Sequence, residues 1–433
     1  MTIFVAHGPA AARRRIVQTI VTAAVAVLAT AAPVRGQERI DLVWHAETLS
    51  GKAVMSKAPD RLVNPASVVK VASTFRALQL LGPSHRFDTT FAATGGGARR
   101  DGVLAGDLVV VGGKDPDFHF ENALLVAREL NRLGIREVAG DLVVDRNFWI
   151  GWERGAAGRE AEPDRRAHAM AQRLLDALNP EKWSEENKQA WADAAQRRSW
   201  PPASPPSIVF RGGIRLQAAP ERTPLLTHRS EPLSTALHRF NVFSNNDIER
   251  LDATVGGPGD LAAFLTKRWG QAAAGIRFET TSGLNSNRMS GRQIVRLVRE
   301  LHQLLQQHGL QLGDVLPVMG CGDSTLRHLF PRLREDGSAD GMVGKTGTLN
   351  TTDGGVSALA GMLPASEPVL FFVAAPGAGH ALARARAAEE DWVGRLIKQR
   401  GPLQPARCPA EVKTSDLHAQ VVPAAPAQPA SAP

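Results

Sequence analysis

Three strand-like runs stand close together near the C-terminus, around Lys345, over residues 355–363 and over residues 368–374, with TTDGG and PASE as the only breaks between the pairs. Connections this short join antiparallel neighbours, because a parallel crossover needs a dozen or more residues. A further hairpin signal lies near the start, where apolar stretches at residues 40–47 and 52–56 flank TLSG. Pairing the two groups predicts a five-stranded antiparallel sheet built from both ends of the chain. Such a sheet brings Ser67 close to Lys345, and it leaves the middle of the chain free to be an insertion.

The rest reads as helices around that sheet, an α+β arrangement. Asn64 can cap a helix and Pro65 can occupy its first turn. Residues 66–81 carry apolar side chains at helical spacing, and Gly82-Pro83 stops the run. Residues 103–111 and 138–145 read as two strands separated by the amphipathic NALLVARELNRLG, a βαβ-like unit. Residues 151–200 are charged, rich in Ala and Trp and helical where patterned, and they end in WPPASPPS. Helical patterns resume from Pro232 to about Trp269 with a polar break, from Ser290 to His308, and over residues 379–400. The expected division is a leader at 1–36, a main domain from 37–85 and 227–402, an inserted α/β domain at 86–226, and a largely disordered tail at 403–433. The tail ends in the low-complexity VVPAAPAQPASAP.

The chain has 433 residues and a formal charge of +8. Half of that charge is Arg13, Arg14, Arg15 and Arg35, in a stretch with no acidic residue. The Arg triplet precedes the apolar run IVQTIVTAAVAVLATAA and then small residues, which reads as a cleaved secretory signal peptide; an N-terminal membrane anchor is the alternative, though the run is short of the ~20 apolar residues of a span. Export to the periplasm as a soluble protein is the expectation, with no stable membrane span left after cleavage. The remaining basic excess is small and forms no concentrated stripe, so nucleic acid is not an expected partner. In an oxidising compartment Cys321 and Cys408 can bridge, and two free thiols are the alternative.

Three short motifs carry chemistry. In Ser67-Val-Val-Lys70 the ammonium of Lys70 lies on the same helix face as the Ser67 hydroxyl. Burial among Val68, Val69 and Val71 favours the neutral amine that can take the serine proton. In Ser244-Asn245-Asn246 a hydroxyl can relay a proton, and the amide of Asn246 can hold a lysine or a substrate carbonyl. In Lys345-Thr346-Gly347-Thr348, on an edge strand, the backbone can pair with an extended peptide. Lys345 and Thr346 can bind its carboxylate, and Gly347 allows close approach. A phosphate-binding loop is excluded for Gly344-Lys345-Thr346, because its first glycine would fall at Ala339 and a strand follows. No H-E-x-x-H or clustered Cys/His pattern calls for a metal, the 12 His are scattered, and no cofactor is implied.

In this order the three motifs are the signature of penicillin-binding proteins and class A β-lactamases. The chain resembles, more closely, the D-alanyl-D-alanine carboxypeptidase/endopeptidase family of serine peptidases, low-molecular-mass penicillin-binding proteins with a large insertion after the first motif. The resemblance runs through NPASVVKVAST, LQLLGPSHRF, VVGGKDPDF, GIREVAGDLVVDRNFW, EPLSTALHRFNVFSNNDIERL, TSGLNSNRMSGRQIVRL, LPVMGCGDSTLRHLF and VGKTGTLNTTDGGVSALAG, over about residues 40–150 and 228–375.

It implies a transpeptidase-like fold shared with β-lactamases. It also implies Ser67 as acylated nucleophile, Lys70 as general base, and Ser244 with Asn246 as relay and positioning pair. Lys345 and Thr346 would hold the terminal carboxylate, and the N–H groups of Ser67 and Thr348 would form an oxyanion hole. The implied partners are peptidoglycan stem peptides, with β-lactam antibiotics as covalent inhibitors. Two departures stand out: the charged segment 151–200 replaces the family's Pro- and aromatic-rich stretch, and Asn245 stands where Asp is commoner.

Two rival readings differ in kind. A β-lactamase of class A type needs a Glu with an Asn four residues later, but Ala253, Gly283, Leu304 and Ala339 follow Glu249, Glu279, Glu300 and Glu335 at that spacing. A catalytically weak peptidoglycan-binding scaffold would be expected to have lost a reacting residue, and Ser67, Lys70, Ser244, Asn246 and Lys345 are all present.

Overall fold

The computed structural model describes residues 40–153, 155, 159–216, 221–405, 407–410 and 414–425. The leader read from residues 1–36 lies outside them. A five-stranded antiparallel sheet has the spatial order Val343–Leu349, Val356–Leu363, Val369–Pro376, Val43–Thr48, Ala53–Lys57. Two strands come from the start of the chain and three from its end, as the hairpin signals predict.

Both faces of this sheet are covered, which explains why its central strand reads as the unbroken apolar run VLFFVAAP rather than as an alternation. Leu370, Phe372 and Ala374 face one core, shared with the helices Val69–Leu81 and Gly291–Gln307. Val369, Phe371, Val373 and Ala375 face the other, against Trp392, Val393 and Leu396 of the helix Leu382–Arg400. The helix Gly291–Gln307 begins where Ser290 and Gln293 exchange side-chain and backbone hydrogen bonds, at 3.3 and 2.9 Å.

The helix Val69–Leu81 is entered through a short 3-10 turn, Ala66–Val68. The Asn64 side chain accepts from the Ala66 N–H at 3.0 Å, so it orders this turn rather than the α-helix proper. Every residue from Val69 to Leu78 is buried, so the helix runs through the core rather than along it. It ends at Gly82, whose φ of +81° favours glycine.

The chain leaves the main body along Asp88–Ala93 and returns along Thr223–Arg229, and these two strands pair antiparallel. Between them the expected βαβ unit forms: Leu108–Val111 and Leu142–Val144 are parallel and the helix Phe120–Arg132 connects them. The charged stretch supplies two helices, Pro163–Leu178 and Glu185–Arg198, and Trp183 and Trp191 pack with Leu124 in a small core of their own.

The tail needs correction. Gln420–Pro423 is a strand at the edge of the inserted six-stranded sheet, paired antiparallel with Thr223–Arg229. Cys408 is disulfide-bonded to Cys321, with Cα atoms 5.4 Å apart. Asp416 is buried against Arg197 and Arg198, and Ser415 meets Asn122. Covalent, ionic and ladder contacts thus hold a segment whose composition alone predicts disorder. No helix among the described residues is long and apolar enough to cross a membrane.

Candidate active site

Ser67 lies in the 3-10 turn that enters the nucleophile helix, directly after Ala66, whose φ is +48°. Lys70, one turn on, is completely buried, and its Nζ donates to Ser67 Oγ at 3.1 Å, to Asn246 Oδ1 at 2.8 Å and to the Ser282 carbonyl at 2.7 Å. Burial lowers the Lys70 pKa to about 7, against the opposing pull of the Glu249 carboxylate. An amine that titrates near neutrality beside a hydroxyl is poised to take its proton.

Ser244 sits in the tight turn after the helix Leu233–Val242, with a φ of +52° that few serines adopt. Its Oγ accepts from Lys345 Nζ at 2.8 Å. Lys345 is also fully buried and donates to the Thr346 carbonyl at 2.8 Å. Burial first and the neighbouring Lys70 second depress its pKa well below the usual ammonium range. Asn245 is turned away from these groups and caps the next turn, its Oδ1 accepting from the Asp247 N–H at 2.9 Å. A residue with a capping role has no need of a carboxylate, which accounts for the tolerated departure at this position.

The strand Val343–Leu349 is the free edge of the sheet. Its first residues are covered, since Gly344 N–H donates to the Pro317 carbonyl at 3.0 Å and Val343 bridges to Val318. At Gly347 the strand packs against the turn that holds Ser67. Gly347 is required there, because a Cβ would lie 2.5 Å from the Pro65 carbonyl and 3.2 Å from the Ser67 nitrogen. Thr346 Oγ1 meets Thr325 Oγ1 at 3.0 Å, and Thr348 Oγ1 accepts from Arg386 at 3.3 Å. The eight residues singled out from the sequence are therefore neighbours: Lys70 joins Ser67 and Asn246, Lys345 joins Ser244, and Gly347 packs on the serine turn between Thr346 and Thr348 of the same strand.

Sequence reasoning missed four contributors. The Ser282 carbonyl is a backbone group, and only the quoted TSGL run pointed toward it. Glu249 accepts from Ser282 Oγ at 2.5 Å in full burial, a supporting position rather than a water-activating one. Gly283 is the residue that lets this segment approach, since a Cβ there would meet the Ala66 carbonyl at 2.1 Å. Gly155, inside the atypical charged segment, lies against Asn246, where a Cβ would stand 2.6 Å from the Asn246 Cβ. Among the described residues no cluster of His, Cys, Asp and Glu is arranged to hold a metal ion.

The model of the D-Ala-D-Ala carboxypeptidase 3 (S13) family matches residues 23–165 and 205–394. The chain belongs to that family. It is accordingly a serine-type peptidase, a hydrolase. A curated relative, the D-alanyl-D-alanine carboxypeptidase of Actinomadura sp. (strain R39), is 27% identical over 414 residues, covering 75% of each chain. Among solved structures, the Bdellovibrio bacteriovorus predatory endopeptidase Bd3459 superposes with a TM-score of 0.74 at 21% identity, over 88% of this chain and 99% of that one. Penicillin binding protein 4 of Haemophilus influenzae gives 0.59 at 18%, over 82% and 96%. The chain thus shares its fold with these two solved structures, and the gap in the family match, residues 166–204, falls largely in the charged segment.

Proposed function

We propose that this peptidase removes the terminal D-Ala from peptidoglycan stem peptides through an acyl-enzyme on Ser67, and that β-lactams acylate the same hydroxyl. The observation that carries the reading is the 3.1 Å contact between Ser67 Oγ and a buried Lys70 whose pKa is about 7. As Ser67 Oγ attacks the carbonyl carbon, Lys70 takes its proton. The oxyanion is met by the N–H groups of Ser67 and Thr348, a kind of stabilisation worth on the order of 10²–10³ in rate per donor. The C–N bond then breaks, and the proton passes through Ser244 to the leaving amine while Lys345 holds the Ser244 oxygen. Water, activated by the same lysine, releases the shortened peptide.

The Bdellovibrio endopeptidase has a structure described as penicillin G acylated, which supports the β-lactam arm. Cleavage of D-Ala cross-links is a second outcome of the same chemistry, since the scissile bond also follows a D-Ala carbonyl. The leader-like residues 1–36 and the Cys321–Cys408 disulfide support a periplasmic location, where such a bond persists.

The test is intact-protein mass after incubation with benzylpenicillin, beside Ser67→Ala and Ser234→Ala, with peptide mapping of the adduct. A persistent adduct on Ser67, lost only in Ser67→Ala, is expected. Equal labelling of both variants overturns the nucleophile assignment, an absent adduct favours a binding scaffold, and an adduct gone within seconds while penicillin is consumed favours a β-lactamase.

A further inference from the structure

The edge strand Val343–Leu349 presents its side chains alternately to two sides. Lys345 and Gly347 face the serine turn and the buried lysine. Thr346 and Thr348 face the other way, toward the helix Leu382–Arg400, as does Leu359, which stands opposite Thr346 and packs in the core beneath that helix. In the next strand Ser357 stands opposite Thr348.

Above this pair of hydroxyls the helix places Arg386 and Glu389, three residues apart and therefore on one face. They are matched one to one: Ser357 Oγ donates to Glu389 Oε2 at 2.7 Å, and Arg386 Nη2 donates to Thr348 Oγ1 at 3.3 Å.

The two helix residues are in unequal states. Glu389 is fully buried, and burial raises its carboxyl pKa to about 8 against the opposing pull of the Ser357 hydroxyl and the Arg386 charge. Arg386 is half-buried. Burial lowers its pKa from the ordinary guanidinium value, but a guanidinium stays charged in proteins. Its Nε is buried without a hydrogen-bond partner, and its bond to Thr348 is long. A charged, planar fork with donors to spare therefore sits beside the Thr348 hydroxyl on the sheet edge, two residues along the strand from Thr346, and a carboxylate is the group such a fork binds best.

The substrate offers one at that place. With the scissile carbonyl between the N–H groups of Ser67 and Thr348, the terminal carboxylate lies one residue on, within about 3.5 Å of chain.

We infer that Arg386 is a specificity-determining residue that, with Thr346 and Thr348, binds the free C-terminal carboxylate of the substrate. The inference deepens the reading given under Proposed function and rests on it. Lys345 alone is poorly suited to the task, because its ammonium is engaged with Ser244 and the Thr346 carbonyl.

The experiment compares D-Ala release from diacetyl-L-Lys-D-Ala-D-Ala with release of D-alaninamide from the matching C-terminal amide, for the wild type, Arg386→Gln and Arg386→Lys. The wild type is expected to prefer the carboxylate. Arg386→Gln should lose about 10- to 100-fold in kcat/KM on the carboxylate substrate, as expected for a hydrogen-bonded charged pair, and less than about threefold on the amide. Arg386→Lys keeps the charge without the fork and should fall between. Should the Gln variant fail to fold, the Lys variant decides, and it must lose at least several-fold in the carboxylate-to-amide ratio.

An equal loss on both substrates, or an unchanged ratio, overturns the role of Arg386 while leaving Ser67 acylation by benzylpenicillin intact. A wild type that neither releases D-Ala nor is acylated at Ser67 overturns the underlying reading, and this inference with it.

Discussion

Gly347 and Pro65 are packed so closely that a single methyl group would not fit between them: a Cβ on Gly347 would lie 2.5 Å from the Pro65 carbonyl oxygen and 3.1 Å from the Ala66 Cβ. The sheet edge and the serine turn are thus held against each other by the absence of a side chain. Gly347→Ala should force the strand away from Ser67. A displacement of about 1 Å at a reacting centre costs on the order of 10² in rate, and overpacking costs about 1–3 kcal/mol in stability. The check is the second-order rate of benzylpenicillin acylation. Gly394→Ala is the control: this helix position has nothing within 4 Å of an added Cβ, so it should leave acylation unchanged and gain roughly 0.5–1 kcal/mol. Undiminished acylation in Gly347→Ala would show that the close approach is dispensable.

The pH dependence of acylation follows from Lys70. Its pKa is lowered to about 7, chiefly by burial, and only the neutral amine can accept the Ser67 proton. The rate should therefore rise about tenfold per pH unit on the acid side and level off near pH 7. Glu249 pulls that pKa upward. Removing its charge in Glu249→Gln should move the acid limb to lower pH, while a merely structural loss would lower the whole profile without moving it. A limb at the same pH in both proteins would sink the electrostatic coupling between Glu249 and Lys70.

Much of this site is legible in the chain because its side chains act at fixed local spacings. Ser67 and Lys70 are one helical turn apart, and Ser244 with Asn246, like Lys345 with Thr346, each fall within three residues. The sheet that unites them follows from two short turns. The contributors that escaped notice are of another kind. Ser282 acts through its carbonyl, which every residue has. Gly155 acts by having no side chain, inside a segment whose charge and Trp content draw attention elsewhere. Arg386 lies on a helix rich in charged residues, and only the register Thr348 to Ser357 distinguishes it from the others. The strand Gln420–Pro423 reads as tail from composition because β structure depends on a partner more than on local sequence, and its partner, Thr223–Arg229, is about two hundred residues away.

The Cys321–Cys408 bond is expected to contribute measurably to stability. It closes a loop spanning 87 residues and tethers the segment that leads to Asp416 and the Gln420–Pro423 strand. Cys408→Ser should lower the unfolding free energy by about 2–4 kcal/mol, read from the denaturant midpoint. The variant should also be indifferent to added reductant, whereas the wild type should shift toward it. A wild-type midpoint unmoved by complete reduction would mean that the ion pairs of Asp416 and the strand ladder hold the segment unaided.

The charged segment after Trp149 meets the catalytic groups at Gly155, beside an Arg159 guanidinium that pairs with Glu249 at 3.6 Å, and two glycines separate the Gly155 contact from backbone strain. Gly155 and Gly151 have nearly the same φ, +71° and +73°, so an alanine at either pays the same left-handed penalty of roughly 1–2 kcal/mol. Their surroundings differ. A Cβ on Gly155 would stand 2.6 Å from the Asn246 Cβ and 3.4 Å from Leu284, whereas on Gly151 the nearest atom is the tip of Arg173 at 3.8 Å. Asn246 in turn accepts from Lys70 at 2.8 Å. Gly155→Ala should therefore displace Asn246 and slow Ser67 acylation about tenfold or more, while Gly151→Ala loses similar stability and keeps the wild-type rate. Thermal unfolding beside acylation kinetics for the pair checks this. Equal rates in the two variants would mean that the segment touches the site without shaping it, and the family's departure in this region would then bear on stability alone.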